Sequence, residues 1–149
     1  MPRAPRISDF PRIRAALAVY RLLAYATGTF LLILVAEIVL KYLVGLEVEL
    51  GGVGGLLALV PAGNVQAVNL SLLVQITHGY LYLVYLIADF VLITFLRWPI
   101  TRFILIAAGG VIPLLSFFTE RRISREVRGY LAEREAAQTP APLQAGPRA

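Results

Sequence analysis

Apolar residues fall along this chain in three long blocks, separated by a glycine-rich stretch and a short basic turn. The first block opens at Ile13. From Leu22 to Ala36 it holds no charge, and its apolar character continues to Val44. A bilayer's hydrocarbon core needs about 20 apolar residues as helix, so 21–44 is predicted to span if Glu37 and Lys41 are accommodated. The second block, 70–96, is interrupted, tyrosines aside, only by Ser71, Gln75, Thr77, His78, Asp89 and Thr94. The third, 103–118, is about 24 Å long as a helix at 1.5 Å per residue, enough to cross with little tilt. Gly109, Gly110 and Pro113 lie inside it. Small residues permit close approach of a neighbouring helix, and the proline should kink this one.

The segments between and beyond the blocks differ in kind. Residues 45–69 carry Glu47, Glu49, Pro61 and six glycines, and their apolar stretch 56–60 is too short to cross. They read as an outer loop with a short helical or re-entrant element at the interface. Arg97, Trp98, Pro99 and Arg102 form a tight connection: Pro99 disfavours helix at Trp98, whose indole suits a headgroup-level anchor. In 120–137, Ile123, Val127 and Tyr130/Leu131 fall at helical spacing among Arg121, Arg122, Arg125, Arg128 and Arg134. That pattern predicts an amphipathic helix at a membrane surface or on a partner. Residues 1–12 read as a basic irregular N-terminus, with Asp9 as a candidate helix cap and Pro11 suited to a first turn. Residues 138–149 read as a disordered tail. The predicted fold is an all-α membrane protein: three transmembrane helices within 13–119, a glycine-rich outer loop and an amphipathic C-terminal helix.

Composition agrees. Of 149 residues, 58% are hydrophobic and only 15% charged, with a mean hydropathy of +0.75, which an ordinary soluble domain does not show. The absence of Cys excludes disulfides, thiolate metal sites and Cys nucleophiles. One His cannot build a His-rich zinc site alone. The first block is too long for a signal-peptide core and no A-x-A site follows it, so an uncleaved anchor is expected. The net charge of +5 is concentrated near the ends. Arg3, Arg6, Arg12 and Arg14 favour a cytoplasmic N-terminus, the Lys- and Arg-free 45–69 segment favours the outside, and 97–102 returns to the cytoplasm. Three spans then place the C-terminal arginines outside, against the rule. A re-entrant third block, or entry of the glycine-rich loop, would remove that conflict.

The second block holds the most informative pattern. Ser71, Gln75, His78, Tyr82, Tyr85 and Asp89 are spaced 4, 3, 4, 3, 4, one stripe down a helix. The first block has a matching stripe in Thr27, Phe30, Leu34, Glu37 and Lys41. In an antiparallel pair Glu37 and Lys41 lie near Gln75 and His78. An intramembrane charge costs about 2.5–3.5 kcal/mol on insertion scales and faces protein or water. The seam Glu37, Lys41, Gln75, His78, Tyr82, Tyr85 and Asp89 is therefore expected to meet another helix or subunit. Asp89 needs a donor from Arg21, Arg97 or a tyrosine, or else a proton. The seam reads as interhelical glue, as a docking surface, or as a proton or ion path.

Other motifs carry less. The Gly51–Gly55 sequence GGVGG lacks the Lys-Ser/Thr and preceding strand of a phosphate cradle and reads as a flexible loop. His78 reads as a satisfied membrane histidine rather than a haem ligand. His78 and Asp89 are roughly 16 Å apart along one helix, too far for a catalytic pair. The arginines follow the membrane pattern and are no nucleic-acid footprint. No catalytic, cofactor-binding or metal-binding residues are assigned, and no enzyme activity or cofactor is expected.

The succession Arg14-Ala15, Gly28, Leu40-Lys41-Tyr42, His78-Gly79, Tyr82, Tyr85, Trp98 and Pro113 resembles a family of small three-span actinobacterial membrane proteins of unknown function, over about residues 13–122. That family often has an acidic residue before the first-span glycine, where this chain has Thr27. Proteins of this kind resemble accessory subunits of the actinobacterial cytochrome bcc–aa3 respiratory supercomplex, of the type termed prokaryotic respiratory supercomplex association factor. The resemblance implies a non-catalytic accessory or assembly subunit of that electron-transport complex, with cytochrome bc-type and oxidase subunits and membrane lipid as partners. A small oligomeric transporter or proton-conducting protein using the His78–Asp89 seam is the alternative, and a lipid-binding regulator or membrane enzyme using the arginine-rich tail is a third.

Overall fold

The computed structural model describes residues 7–137. Helix α1, Phe10–Val39, begins with Pro11 in its first turn, while Asp9 occupies the cap position without a side-chain cap bond. It continues through a widened π-helical turn, Leu40–Val44, that ends at Gly45 in the left-handed region. Together they make 35 residues, about 52 Å, well beyond the roughly 30 Å of a hydrocarbon core. Helix α2, Leu70–Leu96, is capped by Asn69, whose side chain accepts from the Leu72 amide. It stops at Arg97, a left-handed residue (φ 53°), just before Trp98 and Pro99, whose ring bars α-helix at the preceding residue. These are the two helices long and apolar enough to cross a membrane. They pack antiparallel, with Tyr20 stacked on Tyr85 (5.9 Å) near one end and Glu37 bonded to Ser71 at the other.

Three sequence expectations are corrected here. The block 103–118 is not one spanning helix. Helix α3, Ile100–Ala107, tightens into a 3-10 turn at Ala108–Gly110, and the chain reverses before helix α4, Leu115–Ala136. The causes are local: two glycines with little helix propensity, Pro113 with no amide to donate, and Leu114 held at φ 67°. The result is a helical hairpin. Its tip lies beside Thr27 and Tyr82, and α4 descends along α1, joined by Ser116 to the Ala24 carbonyl (2.7 Å), Glu120 to Arg21 (2.8 Å) and Glu135 to Arg14 (2.7 Å). The C-terminal arginines thus finish at the same end as the start of α1. The apolar stripe of α4, Ile123, Val127 and Leu131, is buried in a core shared with α1 and α2, rather than being left for a membrane surface or partner.

The 45–69 segment is not helical or re-entrant either. Strands β1 (Leu46–Gly52), β2 (Gly55–Pro61) and β3 (Val68–Asn69) form an antiparallel sheet in the order β2-β1-β3. Alternation in Leu46-Glu47-Val48-Glu49-Leu50 is the strand period, and the glycine-rich motif is the hairpin turn, with Gly52 paired to Gly55. The sheet caps the end of the helix pair opposite to α4.

The hairpin tip depends on glycine. A Cβ on Gly110 would overlap the Tyr82 ring, and one on Gly109 would meet Ser116 Cα at 3.1 Å. Gly110→Ala is therefore expected to destabilise the protein by about 1–3 kcal/mol, the usual cost of overpacking. Thermal unfolding in detergent should show a lowered Tm; an unchanged Tm would contradict this packing.

Candidate functional site

The polar seam predicted from the sequence divides into two groups. The outer group gathers where the sheet meets the helices. Ser71 Oγ donates to Glu37 and accepts from the Val48 amide (3.2 Å), tying α1, α2 and β1 through one hydroxyl. Lys41 does not lie beside His78. It reaches out of the helix pair to Glu47 on β1 (2.7 Å), because Glu37 already stands opposite Ser71 and the next turn of α1 clears the start of α2. Gln75 is exposed and lines a cavity of about 320 Å³ together with Glu37, Lys41 and Glu47.

Glu47 and Glu49 are both almost fully buried, at 3% exposure, which is rare for glutamates unless paired. Two residues apart on one strand, they project to one face and pull the 62–67 loop over it. Glu47 accepts from the Gly63 amide (2.9 Å) as well as from Lys41, and Glu49 from the amides of Gln66 and Ala67 (2.6 Å for the latter). The Gly63 amide, followed by Lys41, holds the Glu47 carboxyl down at about 2.

The inner group faces the bundle interior. His78 is 8% exposed, and Tyr85 and Asp89 are fully buried. The rings of His78, Tyr82, Tyr85 and Tyr20 follow one another at 6.3, 6.3 and 5.9 Å. The tyrosine hydroxyls serve the hairpin. Tyr85 donates to the Ile106 carbonyl (2.7 Å) and Tyr82 to the Ala107 carbonyl (3.3 Å), where α3 ends. The Ala108 amide also bonds back to the end of α3, and the tyrosine hydroxyls add donors to carbonyls there. The seam thus fastens α2 to the backbone where the third block breaks.

Asp89 has no such partner. Neither carboxylate oxygen has a hydrogen-bond partner among the described residues, and His78 Nδ1 has none either. Arg21, one expected donor, is taken by Glu120. Sequence reading missed Tyr20, Ser116 and Glu120, all buried. A signal was present: Ile13, Leu17, Tyr20, Ala24, Thr27 and Leu31 repeat at 4, 3, 4, 3, 4, and all are buried. The inward stripe of α1 therefore starts two turns before the predicted span, 21–44.

The fold and this seam define a small, mostly helical protein built on two membrane-length helices, a helical hairpin and a small three-stranded sheet. The chain belongs to the DUF3817 family, a domain of unknown function, whose profile matches residues 17–125. It is similar to Uncharacterized protein ML1176 of Mycobacterium leprae, 28% identical over 127 residues, covering 85% of this chain and 87% of that one. It is likewise 29% identical over 117 residues to Uncharacterized protein Rv1342c of Mycobacterium tuberculosis, covering 78% and 80%. None of these names carries a link to a respiratory complex. No solved structure matches the chain.

Two outcomes are expected. Tyr85→Phe removes a buried hydrogen bond to the Ile106 carbonyl and should cost about 1 kcal/mol, with Tyr82→Phe costing less because its bond is longer. Unfolding in detergent checks the order of the two. Glu47 has a lowered carboxyl pKa, so its contribution is complete above the ordinary value and is lost as pH falls toward about 2. Hydrogen exchange of β1 amides should accelerate through that acid window in the native chain, and Glu47→Gln should remove the dependence.

Proposed function

We propose that this chain is a multi-pass protein of the cell membrane, with a cytoplasmic N-terminus, and a non-catalytic accessory or assembly subunit of a larger membrane complex. Membrane insertion is supported by burial. Only 22% and 28% of the apolar windows of the two long helices are buried within the chain, whereas core helices of soluble proteins are mostly covered. Leu22, Ile33, Leu83, Ile87 and Phe90 are among the large apolar residues left outward. Orientation is supported by charge: the arginines of 97–102 and α4 gather at the end where α1 begins, and the sheet end, 45–69, has no Lys or Arg.

The observation that carries the docking reading is β2. It is an edge strand of the sheet, and its Leu56, Leu57 and Leu59 are 81%, 64% and 58% exposed. An apolar strand with an unpaired edge accepts a strand or apolar surface from another chain. The resemblance drawn from the sequence makes the actinobacterial cytochrome bcc–aa3 assembly the partner we propose, through its bc-type cytochrome and oxidase subunits. Purification from native membranes in mild detergent tests this. Haem absorbance and these subunits should accompany the native chain and be lost with Leu57→Ser/Leu59→Ser; a native chain that runs alone contradicts the reading.

The unpartnered Asp89 carboxylate favours a second reading, a small oligomeric proton-conducting protein or transporter using the His78–Asp89 seam. Reconstituted vesicles separate the two. This reading requires a proton flux that Asp89→Asn abolishes, and undiminished flux in that variant removes the seam from any conduction path.

A further inference from the structure

The two arms of the helical hairpin do not close on each other. Between α3 and α4 lies a cleft of about 220 Å³. Its wall is apolar at Leu105, Leu115, Phe118 and Ile123; Ile123 is buried, while Leu105 and Phe118 are more than half exposed, so the apolar part opens to the outer face of the hairpin. At its mouth stand Arg102, Arg122 and Glu126. Arg122 is one helical turn from Phe118, about 6 Å along α4, toward the end where the basic turn lies. The apolar and charged parts of the lining therefore succeed one another along α4, toward the end where α1 begins.

The charges at the mouth are unequally satisfied. Arg102 is paired with Glu126 and stacked over Trp98, its guanidinium carbon 4.2 Å from the ring centroid. Arg122 is exposed and forms no ion pair among the described residues. The mouth retains one positive charge beside an indole suited to headgroup level. The exposed Leu105 and Phe118 offer water no hydrogen-bond partner, whereas an acyl chain laid along them gains dispersion contacts.

We propose that this cleft is a binding site for one anionic phospholipid of the leaflet at the N-terminal end of α1. An acyl chain lies between Leu105 and Phe118, and the headgroup phosphate is held by Arg122, with Arg102 positioned beside it by Trp98 and Glu126. The proposal rests on the membrane reading above. The two fail separately: a chain soluble without detergent defeats that reading, and a detergent-requiring chain without lipid selectivity defeats only this one.

Native mass spectrometry tests it on the full chain, purified in mild detergent after reconstitution with equal phosphatidylglycerol and phosphatidylcholine. The native protein should retain one phosphatidylglycerol in preference to phosphatidylcholine. Arg122→Gln should lower that retention about fivefold, the effect of one basic residue near an anionic surface. Arg121→Gln, the same charge change on an exposed neighbour outside the cleft lining, should leave it unchanged. Leu105→Trp, at a half-exposed position, fills the apolar wall and should abolish retention while circular dichroism stays native. If Leu105→Trp loses its native spectrum, the comparison of Arg122→Gln with Arg121→Gln decides alone. Excess inorganic phosphate should not displace the lipid. Equal retention of both lipids by the native chain, equal loss in the two arginine variants, or full displacement by phosphate overturns the proposal.

Discussion

Backbone amides and carbonyls inside a hydrocarbon layer have no water to turn to, so each must find a partner in the protein. If the chain is inserted as proposed, that constraint bears on the break after α3. On the proposed membrane reading, a helix that stops at Ala107 and turns back needs protein to cover the break. Tyr85 and Tyr82 cover it from α2, and Ser116 fastens the returning arm to α1. Glycine at 109 and 110 lets the tip come close enough for these bonds to form. The tyrosine stripe and the broken third block are two halves of one device.

The same turn reconciles the charges. A third span would have carried Arg121, Arg122, Arg125 and Arg128 to the far side, opposite the other basic segments. Instead α4 returns along α1, its apolar stripe buried and its arginines at the end that also holds 97–102. Ion pairs between Arg21 and Glu120, Arg102 and Glu126, and Arg14 and Glu135 stitch that end together. At the other end two glutamates spend their charge on loop amides and Lys41. Among the described residues, the buried polar atoms left without a hydrogen-bond partner are the Asp89 carboxylate oxygens, His78 Nδ1, Tyr20 Oη and Thr27 Oγ1, all on α1 and α2, while outside the interior the edge of β2 is open and Arg122 lines the hairpin cleft.

Much of this was legible in the sequence. The two long helices follow from uninterrupted apolar length, and the inward stripe of α2 from heptad spacing: His78, Tyr85 and Asp89 are buried as that spacing requires. The third block misled because length and hydropathy count residues and do not register a Gly-Gly pair followed by Pro as a reversal. The outer loop misled because glycine-rich composition masked the alternation of Leu46 to Leu50. Lys41 was placed in the seam by spacing alone, whereas its partner, Glu47, lies across a chain turn that spacing cannot see. Glu120 and Ser116 belong to the seam through tertiary return of the chain, which no local pattern encodes.

The central claim, that the chain enters after Pro99 and comes back on the side it left, is tested most directly by the sidedness of single cysteines. The chain contains no Cys, so Arg14→Cys, Val53→Cys and Ala132→Cys variants each report one position. In sealed right-side-out vesicles an impermeant maleimide should label position 53 only, with 14 and 132 labelled together once the membrane is opened. Labelling of 53 and 132 from outside, with 14 protected, would mean that the third block crosses after all.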